Sequence, residues 1–328
     1  MKVLIIGGAG MVGRKLAERL ARDGKLGKQA ISALTLYDVV AAEAPKASTF
    51  PVKVLTGDLP AKGQTDTLVQ DKPDVVFHLA AIVSGEAEME FDKGYRINLT
   101  GTQNLIESMR HAYETAAKKP RLVFTSSIAV FGSPFPPKIP DEFHHTPLTS
   151  YGTQKAIGEL LLADYTRKGM IDGIGIRLPT ICVRPGKPNK AASGFFSNIM
   201  REPLAGQEAV LPVSEDVMHW HASPRAAVGF LLHAATIDGD QVGPRRNLTM
   251  PGIPATVGQQ IAALKKIAGE KVVKRIRREP DAMIQKIVSG WPTQFDAKRA
   301  TALGFKAESS FEEILKVHIE DELGGKIA

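Results

Sequence analysis

The sequence predicts an α/β protein built on a doubly wound parallel sheet, with a smaller C-terminal part that binds the substrate. Three observations carry this. Short apolar, β-branched runs at residues 3–6, 33–37, 52–56, 74–81, 123–131 and 173–177 alternate with longer segments, several of helical periodicity, which is the pattern of strands in a parallel sheet. The first run opens into a glycine turn followed by a helix-forming stretch. The fifth delivers Ser126 and Ser127 shortly before Tyr151-x-x-x-Lys155, at the strand ends where open α/β sheets bind ligands.

At 328 residues, 43% apolar and 23% charged, the chain has the composition of a globular protein with a sizeable core. The first apolar stretch is too short for a signal peptide or a membrane span, which points to a cytoplasmic protein without a membrane partner. Cys182 is the sole cysteine, so it forms no internal disulfide and reads as a small buried residue. The net charge of +7 is spread along the chain. Its densest basic run, residues 271–278, alternates with Val272, Val273 and Ile276 and reads as a solvated edge. The charge therefore suits a small anionic substrate better than a nucleic acid.

Strand 3–6 runs directly into Gly7-Gly8-Ala9-Gly10-Met11-Val12-Gly13 and then a helix. Strand, glycine turn and helix together are the context of a dinucleotide fingerprint: a tight turn, close backbone approach to a pyrophosphate, and a helix amino terminus aimed at its charge. The second strand ends in Asp38, placed to bind the adenosine ribose and repel a 2′-phosphate, which favours NAD over NADP. Asp58 and Leu59 follow the third strand where an adenine contact is expected. Leu79, Ala80 and Ala81 close the fourth with small groups past which a cofactor can run. His78, in that strand, reads as a core histidine. A long helical segment carries Tyr95, Asn98, Thr102 and Asn104, and Ser84 and Glu86 in the loop before it face the same end of the sheet.

On a helix Tyr151 and Lys155 share one face, so a phenol, an ammonium and a serine hydroxyl converge. A free tyrosine titrates near ~10, so acting as a base near neutrality requires about three units, or roughly 4 kcal/mol, of preference for the phenolate. An ammonium about 5 Å away supplies roughly 3 kcal/mol at an effective dielectric of about 20, and a positive nicotinamide nearby supplies the rest. The expectation is that Lys155 lowers the Tyr151 pKa.

These residues, with Asn98-x-x-Gly-Thr-x-Asn-Leu, Ser127-x-x-Val-Phe-Gly and Trp291-Pro292 near the end, resemble the extended short-chain dehydrogenase/reductases, the NAD-dependent epimerase/dehydratase superfamily. The resemblance implies a Rossmann domain over residues 1–170. Residues 171–328 then supply the remaining sheet elements and an interleaved substrate-binding part. It implies Tyr151 as base, Lys155 as holder of the nicotinamide ribose, and Ser127 as the group that orients the substrate oxygen. NAD is expected at Gly7, Gly10, Met11, Val12, Gly13, Asp38, Asp58, Leu59, Leu79, Ala80, Ala81, Asn98, Thr125, Ser126, Tyr151, Lys155, Leu178, Pro179 and Thr180. A homodimer through the two long helices around Asn98 and Tyr151 is the family habit.

Departures from the family pattern are informative. Nucleotide-sugar epimerases place an asparagine where this chain has Thr180, and dehydratases follow the catalytic hydroxyl with an Asp-Glu pair where this chain has Ile128-Ala129. The segment from Leu178 to Gly206 resembles a subgroup that oxidises a small sugar acid. A carboxylate in the cleft needs a partner, because an unpaired buried anion is costly. Residues 184–196 are the expected supplier, with Arg184 for the carboxylate or, equally, for the cofactor pyrophosphate or a surface acid, polar groups at Asn189 and Ser193, and Phe195 walling off solvent. Ser84 on the opposite lip, together with Ser127 and Tyr151, completes the expected substrate contacts. Met218-His219-Trp220-His221 lacks a nearby carboxylate or cysteine and reads as a strand, not a metal site.

Overall fold

The computed structural model describes residues 1–186 and 193–328. Seven strands form the central sheet: β1 (Lys2–Ile6), β2 (Ala33–Asp38), β3 (Val52–Thr56), β4 (Val75–His78), β5 (Arg121–Ser127), β6 (Asp172–Leu178) and β7 (Asn247–Thr249). Their order is β7-β6-β5-β4-β1-β2-β3, and every pairing is parallel. The chain builds outward from β1 to β3 and then restarts on the other side at β4. That reversal opens a crevice beyond the ends of β1 and β4.

Alternation along each strand sorts the core onto two faces. Val3, Ile5, Val75, Phe77, Val123 and Ile176 pack with Leu16 and Leu20 of helix α1 (Met11–Asp23) and with residues of a helix over Pro224–Thr236. Leu4, Ile6, Val76, Leu122 and Phe124 face the other way, against helix α2 (Gly101–Ala112) and Leu162 of helix α3 (Ser150–Arg167). The result is a helix–sheet–helix sandwich. Thr149 starts α3 by accepting the Gly152 N–H at 3.1 Å, a side-chain cap that fixes where Tyr151 enters the helix.

The long helical segment expected around Asn98 is not uniform. A short helix, Phe91–Gly94, runs through a π-helical turn at Tyr95–Thr100 before α2 begins. Such widened turns occur mostly at functional sites, and this one carries Asn98.

A second core contains Cys182, Phe196, Met200, Leu211, Leu264, Phe311 and Ile314. Beside it lies a three-stranded sheet in which Thr180–Ile181 pairs with Met218–Ala222, which pairs in turn with Ile253–Thr256. Residues 218–221 are thus a strand, and Cys182 is fully buried. The basic run at 271–278 ends in strand Ile276–Arg278, whose Arg277 and Arg278 are exposed and paired with Glu279 and Glu215.

Candidate active site

The glycine loop is shaped as a cradle. Gly7 has φ +94°, a left-handed conformation, and a Cβ there would lie 2.7 Å from the Ala80 nitrogen. A Cβ on Gly13 would collide with the Gly7 carbonyl, so only hydrogen lets α1 start this close to the loop. Gly10 is the N-cap of α1, and Met11, Val12 and Gly13 form its first turn, with free N–H groups at the sheet's carboxyl end. Asp38 braces the turn, accepting the Ala9 N–H at 3.0 Å and the Val39 N–H at 2.7 Å. Leu79 and Ala80 cross beneath, their N–H groups bonded to the Ile6 carbonyl. A backbone cradle with no room for side chains, a helix amino terminus and a carboxylate at the next strand end fit a dinucleotide.

Several side chains expected on the cofactor are engaged elsewhere. Asn98 is buried; its Oδ1 accepts the Ile82 N–H, and its Nδ2 donates to the Ile82 carbonyl and to Gln154. It therefore ties the loop after β4 to α3. The Thr125 hydroxyl donates to the His78 carbonyl, and the Ser126 hydroxyl to Glu159. These three engagements share a cause: buried polar groups take protein partners when protein surrounds them. The Asp58 carboxylate forms an ion pair with Arg96, and Leu59 is buried beneath Gly101.

Ser127 ends β5 in register with Leu178 of β6, so Pro179 and Thr180 emerge beside the serine. The Ser127 hydroxyl accepts the Ala129 N–H at 3.1 Å. Burial pushes the Tyr151 phenol up to about 12, against the opposing pull of Arg184 and of the Ser127 hydroxyl. Lys155 stands one turn further along α3. Its Nζ donates to the Thr125 carbonyl at 2.8 Å and lies 5.7 Å from the Tyr151 ring centre. Burial holds Lys155 down to about 8, and Glu159 opposes that fall.

Glu159, one turn after Lys155, is fully buried and anchors α3 to the sheet. It accepts from Arg177 of β6 in a bidentate pair and contacts His145 and the Ser126 hydroxyl. Burial raises its pKa, but Arg177 and His145 outweigh that and hold it at about 2. His78 is the core histidine expected: it is buried, meets the Thr102 hydroxyl at 2.8 Å, and burial lowers it to about 3.

On the substrate side, Arg184 donates to the Ile181 carbonyl at 3.0 Å and to the Ser193 hydroxyl at 2.9 Å. Among the described residues no carboxylate pairs with it. Burial lowers its pKa, and Tyr151 acts on it in the opposite sense. Phe195 packs against Phe196 at 4.1 Å in the second core. Ser84 begins a short helix, Ser84–Met89, and is half-buried. Asn189 lies outside the described residues. His219, which the sequence reading left as a strand residue, sits beside the site and meets Thr180 at 2.8 Å. The signal for it was a histidine on a strand, one of two there with His221, and both are buried.

The family model for the NAD dependent epimerase/dehydratase family matches residues 3–223. A D-erythronate dehydrogenase from Cupriavidus necator is 45% identical over 325 residues, covering 98% of both chains. One from Haemophilus influenzae is 42% identical over 98% of this chain and 100% of its own. Among solved structures, the nucleoside-diphosphate-sugar epimerase from Agrobacterium tumefaciens superposes with a TM-score of 0.98 at 66% identity, covering 100% of this chain and 96% of that one. The glycine cradle, the Asp38 carboxylate and the Tyr151–Lys155 pair thus sit in a chain that belongs to the NAD dependent epimerase/dehydratase family, with NAD as its cofactor.

Proposed function

We propose that this protein oxidises a secondary hydroxyl of a small sugar acid, D-erythronate to 2-oxo-tetronate (2-dehydro-D-erythronate), with NAD. The observation that carries this reading is Arg184: a half-buried guanidinium whose charge acts on the Tyr151 phenol, with no carboxylate partner among the described residues. A substrate carboxylate meets that need. The two curated relatives named for this activity support it across nearly the whole chain.

In this reading Ser127 holds the reacting hydroxyl and Tyr151 takes its proton. Arg184 fixes the carboxylate and, by its charge, favours the phenolate. Lys155, locked on the Thr125 carbonyl, holds the ribose of the cofactor. The Gly7–Gly13 cradle, Asp38 and the loop at Leu79, Ala80 and Ala81 hold the remainder, with Asp58, Leu59, Leu178 and Pro179 along its path. When bound, NAD supplies the hydride acceptor and a positive nicotinamide charge.

The name of the Agrobacterium protein favours a second reading, interconversion of a nucleotide sugar with no net change in NAD. Thr180 in place of the asparagine and Ile128-Ala129 in place of an acidic pair weigh against it and against elimination. A non-catalytic NAD-binding protein would have no use for an intact tyrosine and lysine. We further place the enzyme in the cytoplasm as a homodimer. Exposed Met89, Phe91, Leu148 and Leu160 on or beside the helices that flank the site support the pairing. Residues 1–170 would then form the NAD-binding domain and 171–328 the interleaved substrate-binding part.

The test is NADH formation from NAD with four- to six-carbon aldonates, uronates and simple 2-hydroxy acids. Net NADH with a four-carbon aldonate is the expected result. Interconversion of a nucleotide sugar without net NADH overturns the reading.

A further inference from the structure

We propose that His219 is a positioning residue that fixes the Thr180 hydroxyl as a pure hydrogen-bond acceptor toward the cleft, where it reads a non-reacting hydroxyl of the substrate. The inference deepens the functional reading above and rests on it.

The polarity follows from the partners. His219 Nδ1 lies 2.9 Å from the Pro292 carbonyl. A carbonyl only accepts, so Nδ1 carries the proton. Burial lowers the His219 pKa to about 4, and the ring is neutral at physiological pH. Its Nε2 therefore has a bare lone pair, 2.8 Å from Thr180 Oγ1, and the threonine must donate its single proton to it. The ring lies parallel to Phe196 at 5.4 Å and 9° and is flanked by Trp291 at 5.2 Å, and its two hydrogen bonds set which way round it lies.

What Thr180 has left is two lone pairs. Its hydroxyl is half-buried and has no other partner among the described residues. It stands two residues past Leu178, which is registered opposite Ser127. The charge of Arg184 acts on both Tyr151 and His219, which puts the three groups within electrostatic reach of one another. A ligand group meeting Thr180 must donate, which admits a hydroxyl and repels a carboxylate. Arg184 has the opposite demand. The two together set which way round a hydroxy acid lies.

The test compares D-erythronate with its 3-deoxy and 4-deoxy counterparts, in the wild type and in Thr180→Val, Thr180→Ser and His219→Phe, by kcat/KM. The wild type should prefer D-erythronate over at least one deoxy acid by about tenfold or more. Thr180→Val should bring that ratio close to one by losing only the hydroxylated substrate. Thr180→Ser should restore it, and His219→Phe should weaken it. The Kd for NAD should stay unchanged throughout, and nitrogen NMR of the His219 ring should report an unprotonated Nε2. An unchanged ratio in Thr180→Val overturns the inference alone, as does an Nε2-protonated ring. A loss of NAD affinity in Thr180→Val overturns it by placing Thr180 on the cofactor. Absence of turnover with every acid overturns both this inference and the functional reading.

Discussion

The cofactor side and the substrate side of the cleft are built in different ways. The cofactor side is made of backbone: Gly7 and Gly13 leave no room for a Cβ, the first turn of α1 presents N–H groups, and Asp38 ties the turn down through main-chain bonds. Everything it needs lies within a short stretch and the strand ends beside it. The substrate side is made of side chains brought from far apart. His219 reaches Thr180 across 39 residues of chain and Pro292 across 73, while Arg184 arrives on a loop between the sheet and the second core. A backbone cradle takes the same cofactor whatever surrounds it, and a side-chain wall can be changed one residue at a time. That division lets one scaffold serve many substrates.

The comparison makes predictions of different size. Tyr151 belongs to both sides, and Tyr151→Phe should lower kcat at least about a hundredfold while the fluorescence titration of NADH stays near wild type. Activity that survives would assign the base elsewhere.

Glu159→Gln probes the scaffold that both sides share. Leaving Arg177 buried without its carboxylate should cost on the order of 3 kcal/mol in thermal or denaturant unfolding. The pH dependence has a definite sign. The folded Glu159 titrates at about 2 against an ordinary 4.5, so the unfolded chain takes up this proton first as the pH falls. The stabilisation is therefore complete above the unfolded value and is lost between there and about 2. The wild-type Tm should fall over that window, and the Glu159→Gln curve should be flatter. Parallel curves would remove Glu159 from the account of acid stability.

Asp38→Ala touches the cofactor side alone and carries the smallest effect. The wild type should favour NAD over NADP by at least about tenfold in kcat/KM, the size of one unfavourable charge contact of about 1.4 kcal/mol, and the variant should narrow that gap. Equal efficiency of the wild type with both cofactors would separate Asp38 from cofactor choice.

The same division explains what was legible in the sequence. The strands, the glycine turn, Asp38 and the tyrosine helix were readable because each is a local pattern: apolar alternation, φ-positive glycine, side chains one turn apart. The protein partners of Asn98, Thr125 and Ser126 were not. Their partners Ile82, His78 and Glu159 are set by packing between elements, and a π-helical turn at Tyr95–Thr100 has no periodicity of its own to announce it. The contacts of Lys155 were hidden for a related reason. Helix spacing gave its proximity, but the Thr125 carbonyl captures its ammonium and the nearby guanidinium comes from Arg184. The pairing of His219 with Thr180 left no trace beyond a polar residue in a buried strand.

The central claim, that Arg184 receives a substrate carboxylate, is tested most directly by measuring KM for D-erythronate and Kd for NAD in Arg184→Ala. The account predicts that KM rises by about tenfold or more, the scale of a charge-assisted hydrogen-bond pair, with the Kd for NAD unchanged. A matching loss of NAD affinity, with KM for the acid unaltered, would place Arg184 on the cofactor and contradict it.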